Sequence, residues 1–468
     1  MKHRPSILIA IAWVASVLGL VGCRGAFLPP QSQILGDMVL ANNRFTNEWP
    51  NPGCAACLPG PHASCIWTRA TYIEGALALY GINHDTNIYN YAVQWGAFTN
   101  WNLRYGDTDK MQDDQSVGAE YLELYSLDPN HPERITHIVN NLNFLVGRTN
   151  VDYLHYVDSL HMVMQAFARA FALTGNTNYS EKLYAYFHFA RDVIGSSNGI
   201  YNAADHLWYR DTNYLSGYVA SDGTAQKCYW SRGNGWAFVA LARVLEVLPA
   251  NDPHYAEYRQ TFQQMAAALK AVQRSDGFWN VNLGYANDYP GPEASGTACF
   301  TYGFAWGIRH GLLDRRTYLP SVIAGWNALA NNALHHSTNA DNGFLGYVQG
   351  TGSKPADSQP VTYTSVPNFD DFGLGLFLLA GSEVYQLSAA PGITLAPPVL
   401  TNQLAQLDFT VISTQTDGLL NLLEASQLDG TWTTNPDAVL TTNLPGAEYR
   451  FVVAATSSTK FYRVELQP

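Results

Sequence analysis

The chain has 468 residues, room for one large domain and a small one. Charged residues make up 14% of it, against about 25% in an average soluble protein, while aromatics reach 13% and the formal net charge is −12. This balance argues against nucleic acid, whose phosphates need a basic face, and fits a neutral or mixed ligand that stacks on rings, as sugars do. An anionic substrate would need a local cation to offset the overall field.

The first element is a targeting segment. Lys2, His3 and Arg4 precede an apolar run over 7–20 that is too short for a comfortable membrane span. The following "LVGC" (20–23) resembles a bacterial lipobox, with Cys23 as the lipidated residue; the plainer reading is an ordinary cleaved signal peptide. Both place the protein outside the cytoplasm, in the cell envelope, periplasm or medium, with the membrane reached only through the anchor. Of the other cysteines, Cys54, Cys57 and Cys65 lack the second close pair of a zinc site and read as a local disulfide or plain loop residues. Cys228 and Cys299 read as small buried apolar residues.

Over 31–388 the pattern is helical. Apolar residues recur at three and four spacings in "IWTRATYIEGALALYG" (66–81) and "LHMVMQAFARAFALTG" (160–175), both ending at a glycine stop. Further helices are expected near 31–46, 86–98, 115–126, 131–145, 178–194, 233–247, 252–273, 297–312, 316–333 and 370–386. Twelve helices in hairpins predict an all-α (α/α)6 toroid, with inner helices ringing a funnel. Residues 389–400, "AAPGITLAPPVL" from its first alanine, read as a Pro-rich linker. Residues 401–468 carry short alternating runs separated by turn residues, a small β-sandwich-like domain serving as a spacer or a carbohydrate-binding module.

Four stretches carry candidate chemistry. "MQDDQSVGAEYLELY" (111–125) puts Asp113 and Asp114 just before a helix. One aspartate suffices as a cap, which leaves the second to explain. Asp158 starts the helix of "YVDSLHMVMQAFARAF" (156–171). It reads as a cap or, at a funnel mouth among aromatics, as a general acid with a raised pKa; His161 behind it reads as a hydrogen-bonded wall residue or a ligand contact. "CYWSRGNGW" (228–236) sets Arg232 between Trp230 and Trp236, with glycines that leave room for close approach. Such an arginine fork suits the carboxylate of an acidic sugar, and an indole suits its ring. In "PEASGTACFTYGFAWGIRHGLL" (292–313), Ser295 and Thr297 either cap a helix or contact ligand hydroxyls.

Together "DDQSVGAEYLELY", "VDSLHMVMQAFA", "LWYRD" (207–211), "CYWSRGNGWAFVALARVLEVLP", "QRSDGFWNVNL", "SGTACFTYGFAWGIRHGLL", "GFLGYVQGTG" and "DDFGLGLFLLAGSEVY" resemble, in order, glycoside hydrolase family 105. Its members are unsaturated rhamnogalacturonyl hydrolases, relatives of the family 88 unsaturated glucuronyl hydrolases. The resemblance spans about 31–388 and implies an (α/α)6 barrel with no metal or cofactor. It implies a substrate too: an oligosaccharide ending in a 4,5-unsaturated uronate, a lyase product of the kind found in pectin breakdown. By this resemblance Asp158 is the acid/base, Asp113 orients the reacting sugar with Asp114 beside it, and Trp230, Arg232 and Trp236 line the uronate subsite. Many members carry a histidine where this chain reads "LWYRD"; here Arg210 stands there, with His206 just before. Other readings are a different uronidase on the same fold and a non-catalytic, lipid-anchored glycan-binding protein.

Overall fold

The computed structural model describes residues 28–53, 66–195, 199–364 and 371–388, and the segments 392–396, 399–401, 404–412, 419–427, 431–444, 448–454 and 460–467. Cys23, Cys54, Cys57 and Cys65 lie outside the described residues. The chain divides into two compact units, one of Phe27–Leu387 and one containing Ser388–Pro468.

Among the described residues the first unit has twelve α-helices: α1 (Gln31–Glu48), α2 (Trp67–Asn83), α3 (Thr86–Phe98), α4 (Gln112–Leu127), α5 (Thr136–Gly147), α6 (Asp158–Thr174), α7 (Thr177–His188), α8 (Ser231–Val247), α9 (Tyr255–Ala271), α10 (Ala294–Arg309), α11 (Arg315–Asn327) and α12 (Asp371–Leu387). They fall into two kinds. α5 buries a single stripe, Ile138, Asn141, Leu142 and Leu145, as a helix with one wet face must. α8 and α10 are buried on every side. The even-numbered helices pack on one another in sequence, and α12 returns onto α2; each odd-numbered helix from α3 to α11 lies against the even-numbered one before it, and α1 against α12.

The contact of α2 with α12 admits no side chain at its centre. A Cβ on Gly75 would stand 2.0 Å from the Gly375 carbonyl oxygen, and one on Gly375 would stand 2.1 Å from that of Thr71. Beside this crossing, Arg69 on α2 meets Asp371 on α12 at 3.4 Å, with both side chains fully buried. Deeper in, Glu74 on α2 reaches His161 on α6 and Arg243 on α8, each at 3.1 Å, and Arg169 on α6 meets Glu120 on α4 at 2.7 Å. Buried charges are kept only when paired, and these pairs tie five of the even-numbered helices together.

Several helix boundaries differ from the sequence reading: the helix expected over 297–312 is Ala294–Arg309, and those expected over 178–194 and 316–333 close in π-helical turns, Phe189–Val193 and Ala328–Ala333. α4 begins at Gln112, so Asp113 and Asp114 sit inside its first turn rather than before it. The stretch 131–145 opens with a 3-10 turn, Pro132–Ile135, before α5 begins. A two-residue hairpin pair, β1 (Tyr201–Asn202) and β2 (Leu207–Trp208), was not anticipated.

In the second unit, β3 (Gly392–Leu395), β4 (Val399–Thr401), β5 (Leu404–Ile412), β8 (Val439–Leu444) and β9 (Glu448–Ala454) form one antiparallel sheet. β6 (Leu419–Ala425), β7 (Thr433–Thr434) and β10 (Phe461–Gln467) form another. Alternate residues Ala405, Leu407 and Phe409 of β5 and Phe451 and Val453 of β9 share one apolar cluster with Leu422 and Val464 of the other sheet. The stretch read as a linker, 389–400, carries β3 and β4, because Ile393 and Leu395 find partners in Val411 and Phe409. Prolines interrupt a ladder only at their own positions.

A helix-interior Gly→Ala change ordinarily stabilises by up to about 1 kcal/mol. At Gly375 the sign reverses. Gly375→Ala drives α12 away from α2 and is expected to cost about 1–3 kcal/mol, seen as a lower urea midpoint. Gly36→Ala, where an added Cβ meets nothing, serves as the control.

Candidate active site

Asp158 is the first residue of α6, and Asp113 and Asp114 stand in the first turn of α4. Neither helix has a side-chain hydrogen bond at its N-cap. The odd-numbered helices α3, α7 and α11 are instead capped by Asp85, Asn176 and Asp314. Tyr156 joins the two acidic starts. Its hydroxyl donates to Asp113 Oδ1 at 3.1 Å, and its ring lies 4.9 Å beneath the Arg210 guanidinium. A bridge between Tyr156 and Asp211, with the Val157 amide donating to the Arg210 carbonyl at 2.8 Å, carries Arg210 to this place.

Arg210 Nε lies 3.8 Å from Asp158 Oδ2, and its Nη1 donates to Asp211 Oδ2 at 2.5 Å. Asp158 has a side chain 16% exposed, and its Oδ2 accepts no hydrogen bond. Burial pushes its pKa up; Arg210 and Arg232 pull it back, and the charge on Asp113 adds to the rise. Asp113 is also raised by burial, against the Tyr156 hydrogen bond and the charges of Arg104 and Arg210. The arrangement is a carboxyl biased toward its protonated form, a second carboxyl acting on it and one partly exposed cation against it.

Asp114 faces the other way. It is fully buried on the fork of Arg104, at 3.2 Å from Nε and 3.0 Å from Nη2. Burial and a hydrogen bond with Asp109 raise its pKa to about 8 against the pull of Arg104.

The remaining sequence candidates are enclosed. Arg232 is 1% exposed, stacked 4.6 Å over Trp230 and 5.1 Å over Phe372. Its Nη1 and Nη2 donate to the carbonyls of Gln349 and Gly350 at 2.6 and 2.9 Å. The fork expected to hold an acid group is therefore occupied by main chain. The nearby glycines admit protein rather than ligand: a Cβ on Gly233 would meet Val157, and one on Gly235 would meet Cys299. Trp230 is buried, donating from its indole to Gln349 Oε1 at 2.9 Å. Trp236 is buried with its ring 4.6 Å from that of His161, which is buried on Glu74. Ser295 and Thr297 are fully buried too, and Glu293 caps α10, accepting from the Ser295 and Gly296 amides and the Ser295 hydroxyl. The Thr297 hydroxyl donates to the Glu293 carbonyl at 2.7 Å. His206 turns to Tyr201, at 3.3 Å, so Arg210 is the one of the two that reaches Asp158.

The sequence reading passed over Arg104 and Gln349 and took Tyr156 only as an aromatic neighbour. Spacing gives no signal for the first two. A tyrosine two residues before a helix-starting aspartate is a signal, once that aspartate is suspected.

The sequence model of Glycosyl Hydrolase Family 88 matches residues 39–388. The chain belongs to this family. An unsaturated 3S-rhamnoglycuronyl hydrolase of Formosa agariphila is 32% identical over 217 residues, which is 46% of this chain and 53% of that protein. The chain spans about half the length of the curated relatives it matches. A solved family 88 glycosyl hydrolase from Bacteroides vulgatus is 32% identical, with a TM-score of 0.67 over 76% of this chain and 99% of that one. A family 105 glycoside hydrolase of C. acetobutylicum shares the fold at 19% identity, with a TM-score of 0.58 over 76% of this chain and 99% of that one.

In this family 88 chain the described residues hold one group with metal-ligand geometry, away from Asp158. His188, Asp192 and Glu257 bring ligand atoms within 4.8 Å of one another. Arg191 already pairs with Glu257 and stands 3.7 Å from Asp192, so a guanidinium fills the cation's place.

Asp114 makes stability depend on pH. Its raised pKa means the folded state holds the proton more tightly than the unfolded state. The contribution is fully present below the unfolded value of about 3.9 and is lost as pH rises through about 8. Asp114→Asn removes this dependence. Urea midpoints are expected to shift in favour of the variant, relative to the parent, between about pH 5 and 8.5. A gap independent of pH contradicts it.

Proposed function

We propose that this family 88 chain is a hydrolase that removes a 4,5-unsaturated uronate from the non-reducing end of an oligosaccharide, with rhamnose as the sugar released. The even-numbered helices, linked in a circuit, are read as the inner layer of an (α/α)6 toroid whose mouth holds the site. The observation that carries the activity is Asp158, a mostly buried carboxyl whose Oδ2 accepts no hydrogen bond, with a partly exposed arginine against it and a second carboxyl acting on it. The rhamnose is supported by the name of the Formosa relative. The basic start, the apolar run and Cys23 support export with a lipid anchor.

In this reading protonated Asp158 gives its proton to C4 of the enol ether. Positive charge develops at C5 and is shared with the ring oxygen. Water adds at C5 and returns a proton to Asp158. The resulting hemiketal opens, and the leaving sugar departs from C1. The acid must be neutral before the step, which is what burial at α6 favours. Asp113, fixed by Tyr156, orients the reacting sugar. Arg210 rather than Arg232 holds the uronate carboxylate, since the Arg232 fork is filled by main-chain carbonyls. Arg232 acts from beneath, lending positive potential to Asp158 and fixing the 349–350 segment.

Asp158→Asn is expected to lower turnover at least ~100-fold while the fold is kept. The assay is loss of the unsaturated-uronate absorbance on lyase-generated disaccharides, with rhamnose-linked substrates set against hexosamine-linked ones. Activity near that of the parent removes Asp158 from the mechanism, and faster turnover of the hexosamine-linked set removes rhamnose. Arg210→Gln should raise KM roughly tenfold through loss of a charge-assisted pair. Because Arg210 lowers the pKa of Asp158, the same variant should move the alkaline limb of the rate profile to higher pH. A limb that moves down contradicts the pairing.

A further inference from the structure

The segment between α3 and α4 ends in the acidic turn of α4, and it is fixed along its length. Asp109 accepts from the amides of Tyr105 and Met111 at 3.2 and 2.7 Å. Asn141 on α5 donates to the Asp109 carbonyl at 2.8 Å. Asp107 receives Asn140 at 2.7 Å and pairs with His137 at 2.6 Å. Trp101 and Leu103 anchor the start of the segment in the core. On this rigid base Tyr105 is left 62% exposed. The guanidinium of Arg104 lies 4.9 Å from its ring, and that guanidinium is itself forked onto buried Asp114. Arg104 also acts electrostatically on Asp113. Tyr105 thus stands against a guanidinium that is bound to Asp114, the residue next to Asp113 in the first turn of α4.

A single exposed aromatic needs no explanation in general. This one has its backbone and one ring neighbour fixed by buried carboxylates, so stacking a ligand on it orders little that is not already ordered. Its ring offers the flat apolar face that the C–H side of a pyranose covers, with the phenol hydroxyl at its wet edge. We propose that Tyr105 is a specificity-determining platform for the leaving sugar. It carries the pyranose next to the unsaturated uronate, and Arg104 and Asp114 act as its positioning residues. The inference rests on the reading of Asp158 and Asp113 as the reacting pair.

The test compares full-length parent, Tyr105→Ala and Tyr105→Trp. Two substrates share one unsaturated uronate: the lyase-generated rhamnose-linked disaccharide and the methyl glycoside. In Tyr105→Ala the ratio of the disaccharide KM to the methyl glycoside KM should rise about fivefold, the scale of one aromatic stacking contact. The value of kcat on the disaccharide should stay within about twofold, and Tyr105→Trp should restore the ratio. An unchanged ratio, or an equal rise for both substrates, overturns the platform. If the parent turns over neither substrate, the proposed activity fails separately, and calorimetric titration with the disaccharide still decides Tyr105. Binding about fivefold weaker in Tyr105→Ala supports the platform, and equal affinity or no binding overturns it.

Discussion

The close approach of α2 and α12 is the constraint on which the rest of the helical unit depends. Gly75 and Gly375 let two backbones meet where any side chain would hold them apart, and Arg69 and Asp371 seal the same joint with a buried ion pair. The circuit of even-numbered helices is complete only through this joint. Asp113 and Asp158 begin two successive members of that circuit. Their separation is set by the direct packing of α4 on α6, which the closed circuit holds in place.

Within that frame, opposing terms act on Asp158. Burial disfavours its charged form, while Arg210, Arg232 and its own amide favour it; burial prevails. The uncapped start of α6 belongs with the favouring terms, since the positive end of a helix steadies a carboxylate. The balance matters more than any one term. An aspartate without nearby cations could not recover its charge once its proton is given away, and one salt-bridged closely would have no proton to give. At 3.8 Å the Arg210 contact lies between these limits.

The sequence made the helical unit legible because its signals are local: three-and-four periodicity, glycine stops and turn chemistry. Twelve helices were readable, and several of their displaced edges had local causes, such as an acidic first turn at Asp113 and a 3-10 opening at Pro132. Asp158 and Asp113 were legible because adjacent or helix-starting aspartates exceed what capping needs. Arg232 was legible as an unusual residue, but where its fork pointed was not. That depended on Gln349 and Gly350, more than a hundred residues away in sequence, whose carbonyls no local pattern announces. Separation in sequence likewise hid Glu74 beneath His161. The Pro-rich stretch misled for the opposite reason: its composition suggested a linker, while pairing with β5 made strands.

Sorting the candidates by the element that bears them gives a rule that the motifs alone do not. Arg232, Trp236, His161, Ser295 and Thr297 lie within helices and are buried in helix–helix contacts. The side chains left partly open, Arg104, Tyr105, Tyr156 and Arg210, all come from connecting segments, each held by a buried partner or a main-chain bridge. Asp113 and Asp158, in the first turns of α4 and α6, stay partly exposed beside these connections, whereas Arg232 and Ser295, at the equivalent turns of α8 and α10, are enclosed. The motif "CYWSRGNGW", which opens α8, reads as scaffold because the 349–350 segment fills its arginine fork, even though its residue types suggest a ligand site. Changes in substrate preference among chains with this architecture should accordingly reside in the connections between α3 and α4 and between β2 and α8, because those can vary without disturbing the circuit of helices.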